Sequence, residues 1–342
     1  MIRLECDYAE GAHPRVLRRL TDTNFDQTVG YGEDTFCDKA RAQVRALCGG
    51  GEDLSVHFLV GGTQVNTTVI AAALRPHQGV IAAHTGHINV HETGAIEATG
   101  HKVLPIPSED GKLTAAAILA LWRAHWTDAT HEHMVQPAMV YLSQPTENGT
   151  LYSLEELDAI WQVCQSKGLT LYIDGARLGY GLMSKACDMT LPDLAIRCDA
   201  FTIGGTKQGL LFGEALVIRN RALNRDFRYL IKQRGGLLAK GRLLGVQFSA
   251  ILEEELYFTL SRQADEFAMK IRRAFEAKGC PMLYDSYTNQ QYPILPDKLL
   301  HELEREFAFA FWCKTDETHT AVRFVTSWAT TREALEALVR AL

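Results

Sequence analysis

The chain is poor in the features that mark several large protein classes. Its 342 residues contain no uninterrupted apolar run long enough to cross a bilayer, and its first residues have neither the cationic and apolar pattern of a signal peptide nor a transit-like composition. A membrane protein and a secreted one are therefore not expected; the expected compartment is the cytoplasm. Positive charge is also scarce: the formal net charge is −6, and no basic patch suggests nucleic acid as a partner. The eight cysteines, Cys6, Cys37, Cys48, Cys164, Cys187, Cys198, Cys280 and Cys313, include no C-x-x-C pair and no zinc-ligand spacing, which argues against a disulfide framework and against a structural metal. Repeats, low-complexity tracts and flexible linkers are missing too. What is present is a 46% hydrophobic composition, enough for one large core plus a smaller one.

Three short segments carry chemistry. In Ala200-Phe-Thr-Ile-Gly-Gly-Thr-Lys207 a buried strand runs into a glycine pair and then a lysine. A partly desolvated lysine has a lowered pKa and becomes nucleophilic toward an aldehyde, which makes Lys207 a candidate Schiff-base lysine. In Leu169-Thr-Leu-Tyr-Ile-Asp-Gly-Ala-Arg177 an alternating strand ends at Asp174. Ligands of a doubly wound sheet bind outside the carboxyl ends of its strands, so Asp174 and Lys207 are expected to open onto one crevice. In Val56-His-Phe-Leu-Val-Gly-Gly-Thr-Gln-Val-Asn66 a strand meets Gly61-Gly62 and an alanine-rich helix, a ready anion cup. The cup lacks the Lys-Ser/Thr ending of a nucleotide P-loop, so ATP is not the expected occupant. Taken singly, these residues are better read as a solvated loop lysine and a helix-capping aspartate. Together they are what pyridoxal 5'-phosphate requires: a cup for its phosphate, an aspartate for its ring nitrogen and a lysine for its aldehyde.

With these motifs in order, the chain resembles the low-specificity L-threonine aldolases, within the pyridoxal-phosphate β-eliminating lyases. The likeness runs through Met1-Ile-Arg-Leu-Glu-Cys-Asp-Tyr8, Val29-Gly-Tyr-Gly-Glu-Asp34, Gly61-Gly-Thr-Gln-Val-Asn66, His87-Ile-Asn-Val-His-Glu-Thr-Gly94, Asp174-Gly-Ala-Arg177 and Gly205-Thr-Lys207. It implies an α/β fold: an aspartate-aminotransferase-like large domain of fold type I with a mainly parallel sheet, plus a small C-terminal α+β domain. The expected division is an arm at 1–35, a cofactor-binding domain at 36–242 and a small domain at 243–342. The resemblance further implies phosphate and ring contacts from Gly62, Thr63, Gln64 and Thr206, and His87 stacked on the cofactor. Arg177 and Arg323 are nominated for the substrate carboxylate. Tyr31 is expected near the site, on an arm that crosses a subunit interface in a homodimer or homotetramer. The substrate is then a small amino acid. Two positions depart from the pattern: Cys6 stands where serine is usual, and Glu147 stands where many of these enzymes carry a histidine facing the β-hydroxyl. A carboxylate can still accept that proton.

Other expectations follow the chain. Helices are predicted near Pro14–Leu20, Thr35–Cys48, Gln64–Leu74, from Ser153 to about Lys167, as one long rod from Leu243 to Ala277, and from Arg332 to Leu342. Strands are predicted at Val80–Ala83, Ala138–Leu142 and Glu214–Ile218 and, in the small domain, near Met282, Phe307 and Val322. Glu92 and Glu97 read as solvated helix residues, and Arg219–Gly245 as a basic helix-loop-helix. His87 and His91 share a helical face but lack a third metal ligand. The expected reaction is retro-aldol cleavage of threonine or allo-threonine to glycine and an aldehyde, with Lys207, His87, Asp174 and Glu147 as catalytic residues. Two alternatives keep the cofactor: β-elimination of a serine- or cysteine-like amino acid to an oxo acid and ammonia, and transamination. A phosphate-binding protein without activity is the reading from another class.

Overall fold

The computed structural model describes every residue except Glu52. Short apolar runs separated by amphipathic helices build a seven-stranded sheet. Its strands lie in the order Ser55–Leu59, Glu214–Ile218, Ala200–Gly204, Thr170–Asp174, Gln136–Ser143, Gln78–Ala83, Lys102–Ile106. The last five are mutually parallel, whereas Glu214–Ile218 runs antiparallel to both of its neighbours. Alternation sends successive side chains to opposite faces. Leu171 and Ile173 thus join one core with Val140, Leu142, Phe201 and Val217, while Tyr172 joins the other with Met139, Tyr141 and Leu216. Helices cover both faces, which is what a buried parallel block demands.

Local sequence sets the helix ends. Ser153 and Glu156 cap each other's backbone at the start of Leu154–Lys167, and Gly168 closes that helix in the left-handed region at φ 65°. The helix after the glycine cup starts two residues earlier than expected, at Gly62, and runs to Ala73. The long rod expected from Leu243 to Ala277 is instead two α-helices, Arg242–Leu252 and Leu256–Ala277, joined by a single 3-10 turn. Glu254 and Glu255 sit there with φ of 54° and 56°. The break is pinned electrostatically: Glu253 pairs with Arg19 and Lys39, and Glu254 with Arg15, tying the turn to the first two helices.

The first core cluster reaches along the chain to Tyr257 and Leu260. A separate core, with Phe267, Ile271 and Phe275 of the last long helix, packs against Leu295, Val322, Phe324, Leu335 and Leu338, and Leu4 joins it from the other end of the chain. Its sheet pairs His319–Val325 antiparallel with Ile294–Pro296 and Ala310–Lys314. Ile2–Arg3 pairs with Phe307–Ala308. The strand expected at Met282 is reduced to one bridge with Pro293. Among the described residues, no helix is long and apolar enough to cross a membrane.

Candidate active site

The strand directions place the candidate residues along one edge of the sheet. Parallel strands deliver Asp174, the Ser143–Glu147 turn, the His87 turn and the Gly204-Gly205 turn from their carboxyl ends. A single cleft there is lined by Gly61, Gly62, Thr63, Asn66, His87, Glu147, Asp174, Arg177, Thr206, Lys207 and Glu214, among others.

Lys207 reaches the cleft because its turn has no room for anything but glycine. A Cβ on Gly205 would lie 2.7 Å from Gly213 O and 2.4 Å from Leu210 Cδ1. Tyr180 then fixes the turn by donating its hydroxyl to Lys207 O at 2.5 Å. Burial lowers the pKa of Lys207, and the nearby Arg177 charge lowers it further; Asp7, Asp174 and Glu214 oppose this without overcoming it. A lysine amine so placed is a nucleophile.

Asp174 is buried, and both of its oxygens carry hydrogen bonds while Oδ1 keeps room for one more donor. Its Oδ1 accepts from Ala176 N at 2.9 Å, and its Oδ2 accepts from Tyr141 OH at 2.8 Å and Asn66 Nδ2 at 3.0 Å. The network continues: Asn66 Nδ2 also donates to Glu92 Oε1 at 2.6 Å, Tyr172 OH donates to Asn66 Oδ1 at 2.7 Å, and His87 Nδ1 meets Glu92 Oε1 at 2.8 Å. A carboxylate only accepts, so Glu92 assigns the Nδ1 proton to His87 and leaves Nε2 for the cleft. Glu92, expected in solvent, has a fully buried side chain. The reason is the short helix His87–Val90, which ends at once and turns Glu92 back under its own histidine.

The helix Gly62–Ala73 has no side-chain cap at Gly61, and a Cβ on Gly61 or Gly62 would meet nothing within 4 Å. Its first N–H groups thus point, with the positive end of the helix dipole, into open space. The Gln64 side chain is otherwise engaged, accepting from Val60 N and donating to Arg234 O, so only its backbone N–H belongs to the cup. A bare helix start, a nucleophilic lysine and a held aspartate fit the phosphate, aldehyde and ring nitrogen of pyridoxal phosphate.

Further charged groups lie in and behind the cleft wall. Arg177 Nε and Nη2 grip buried Asp7 at 2.7 and 3.0 Å, and Asn289 Nδ2 donates to the same carboxylate at 2.9 Å. Burial pushes the Asp7 carboxyl up, but Arg177, Lys207 and these hydrogen bonds more than reverse it. Arg177 keeps its Nη1–Nη2 edge free of Asp7. Arg323 donates to Gln290 Oε1 and Glu5 O and lies 5.9 Å over Trp312. Glu147 Oε1 accepts from Ser143 Oγ at 2.6 Å and His87 N at 2.9 Å, and burial raises its pKa against these bonds.

The model of the family described as Beta-eliminating lyase matches residues 9–297. The chain belongs to this family. Over 339 residues it is 30% identical to the low specificity L-threonine aldolase of Pseudomonas aeruginosa, covering 98% of this chain and 95% of that one. The solved structure of Leishmania major threonine aldolase superposes with a TM-score of 0.96 at 42% identity, over 99% of this chain and 98% of that one. An aspartate aminotransferase mutant of Thermus thermophilus, at 12% identity, shares the fold, with a TM-score of 0.71 over 100% and 90% of the two chains.

Of the residues nominated from sequence, Lys207, Asp174, His87, Glu147, Arg177, Thr206, Gly62 and Thr63 line the cleft of this β-eliminating lyase. Gln64, Arg323 and Tyr31 do not line it within one chain. His91 and Tyr292 nevertheless each feel both Arg323 and Arg177. Tyr31 stands elsewhere, half exposed at φ 61°, with the Lys232 amine 4.8 Å from its ring centre. Asp7, Asn66, Glu92 and Glu214 were not foreseen. Asn66 alone left a signal: an amide at a helix position flanked by Val65 and, one turn on, by Val69 and Ile70, all buried.

Proposed function

We propose that the cleft binds pyridoxal 5'-phosphate and cleaves threonine-type β-hydroxy-α-amino acids by a retro-aldol reaction, giving glycine and an aldehyde. The observation that carries this reading is the meeting of Lys207, Asp174 and the uncapped helix start at Gly62 in one cleft. The kinship with threonine aldolases from Pseudomonas aeruginosa and Leishmania major supports the bond chosen. Bound there, the cofactor supplies an electron sink for the bond broken at Cα.

The chain's own residues do the rest. Lys207 would hold the cofactor through its ε-amine. The N–H groups of Gly62, Thr63 and Gln64, with Thr206 beside them, would take the phosphate, and His87 would lie against the ring. Asp174, its oxygens already oriented, keeps a proton on the ring nitrogen. The free edge of Arg177, with Arg323 behind it, receives the substrate carboxylate by parallel hydrogen bonds. Its grip on Asp7 fixes the guanidinium plane before substrate arrives. Glu147 accepts the β-hydroxyl proton; burial raises its pKa, which makes its carboxylate a stronger base. Tyr31 serves the cleft of a neighbouring copy, in a homodimer or a dimer of dimers in the cytoplasm.

The test is product analysis with L-threonine and, separately, L-allo-threonine. Glycine and acetaldehyde are expected. 2-Oxobutanoate with ammonia would replace the reading by β-elimination.

A further inference from the structure

Strand direction brings one more acid to the cleft. Glu214 begins the strand that runs against its neighbours, so its amino end lies beside their carboxyl ends. In the register it faces Gly204, three residues before Lys207, on one side and Leu59, two residues before Gly61, on the other. Its Oε1 accepts from Thr206 Oγ1 at 3.0 Å, and Thr206 Oγ1 in turn accepts from Gly213 N at 3.1 Å. Its Oε2 is buried without a partner. The other acids that act on Lys207 have no such oxygen: Asp174 is held by Ala176, Asn66 and Tyr141, and Asp7 by Arg177 and Asn289.

We propose that Glu214 is the proton partner of Lys207, taking the lysine's proton when the amine must act as a nucleophile and returning it when the amine is set free. The inference rests on the reading of Lys207 as the reacting lysine. Among the described residues no ion pair joins Lys207 to Glu214, so the flexible lysine side chain must first swing to Oε2; an N–H bond of the ammonium then breaks and an O–H bond forms at Oε2. A neutral amine with its lone pair and a neutral carboxyl replace a cation and an anion. No co-reactant is needed, and the low-polarity surroundings favour the neutral pair.

The electrostatics agree with the geometry. Burial raises the Glu214 carboxyl to about 8; Lys207 and the Thr206 hydrogen bond lower it, and Asp174 raises it. The groups facing the pair are Arg177, Asp7 and Asp174 around Lys207, with Tyr172 and Tyr257 from the flanking strand and helix, both of which feel Glu214. Glu214 thus acts through Lys207, as a positioning residue for its proton.

The test reads the lysine directly. The full chain, freed of cofactor, is acylated with acetic anhydride across the neutral and alkaline range, and labelling of the Lys207 peptide is measured by mass spectrometry. Glu214→Gln removes the negative charge that favours the ammonium. The labelling midpoint of Lys207 is then expected to fall by about one unit or more, so that labelling below the wild-type midpoint rises about tenfold or more. Glu214→Asp should keep most of the wild-type profile. Thr206→Val, which removes the donor that favours the carboxylate, should shift the midpoint in the same direction by less, and it serves if the Gln variant does not fold. An unchanged midpoint in the folded variants overturns the proposal. If the wild-type protein fails to cleave threonine, the reading of the reaction falls, but the labelling still decides whether Glu214 governs Lys207.

Discussion

Glu92→Gln isolates what a buried carboxylate contributes to a residue that itself faces the cleft. In the wild type Glu92 Oε1 takes both His87 Nδ1 at 2.8 Å and Asn66 Nδ2 at 2.6 Å, and Oε2 is buried without a partner. Glutamine preserves the shape and can keep one carbonyl oxygen at the Oε1 position. Its amide NH2 then occupies the Oε2 position, where no acceptor waits. Two effects follow. The hydrogen bonds lose their charge assistance, a difference of about 1–2 kcal/mol between a charged and a neutral acceptor. If His87 must hold its ring orientation and Nδ1 proton during turnover, that difference corresponds to about a 5- to 30-fold fall in kcat. The stranded NH2 costs about 1–3 kcal/mol of stability. The assay is steady-state threonine cleavage beside thermal unfolding: kcat should fall with little change in KM. Glu92→Ala, which strands both His87 and Asn66, should fall further in both measurements. Wild-type kcat in both folded variants would refute the idea that Glu92 works through His87.

Two further predictions address the cup and the base. Gly62→Ala should fold with an unchanged melting temperature, because its Cβ meets nothing within 4 Å, yet lose about tenfold or more in pyridoxal phosphate affinity by filling the space in front of the helix start; equal affinity would show that the phosphate sits elsewhere. For Glu147→Gln the sign follows from the raised carboxyl: the native state keeps a proton that the unfolded chain releases above its ordinary 4.5, so wild-type stability declines as pH rises through and beyond that value. The variant lacks that decline, so its melting temperature should gain on the wild type as pH rises while its cleavage rate drops; a gap that does not widen with pH removes Glu147 from the buried acids.

The sequence made the strand ends legible because each is a short apolar run broken by glycine or a polar turn. Lys207, Asp174, Gly62, His87 and Glu147 could all be placed on the crevice for that reason. The residues that hold them were not legible, and each for a separate physical reason. Asp7 is 170 positions from Arg177, so its pairing exists only once the start of the chain packs beside the small-unit core. Glu92 depends on a helix that stops after one turn, and its i+5 spacing from His87 matches no regular helical contact. Glu214 depends on strand direction. Its run of apolar residues reads identically whether parallel or antiparallel, and only the antiparallel choice brings its first residue to the cleft. The broken rod at Glu253–Glu255 was hidden because helical periodicity continues on both sides, while the decision to bend is made by Arg15, Arg19 and Lys39 far upstream.

Buried acids set the charge state of the site. Asp7, Asp174 and Glu214 act on Lys207, Asp7 also pairs with Arg177, and Glu92 and Glu147 hold His87. Burial penalises the charged form of Asp7, Glu147 and Glu214 alike. Partner count decides which give way. Asp7 has a guanidinium fork and an asparagine amide, and its carboxyl is held low. Glu147 has two neutral donors on one oxygen and drifts up. Glu214 has one hydroxyl and an empty oxygen and is pushed up to about 8. Of these three, the carboxyl with the fullest supply of donors is the one held low, and it is the one gripped by Arg177. The two acids that burial pushes up both line the cleft, one at the Ser143 turn and one facing Gly204 across the sheet.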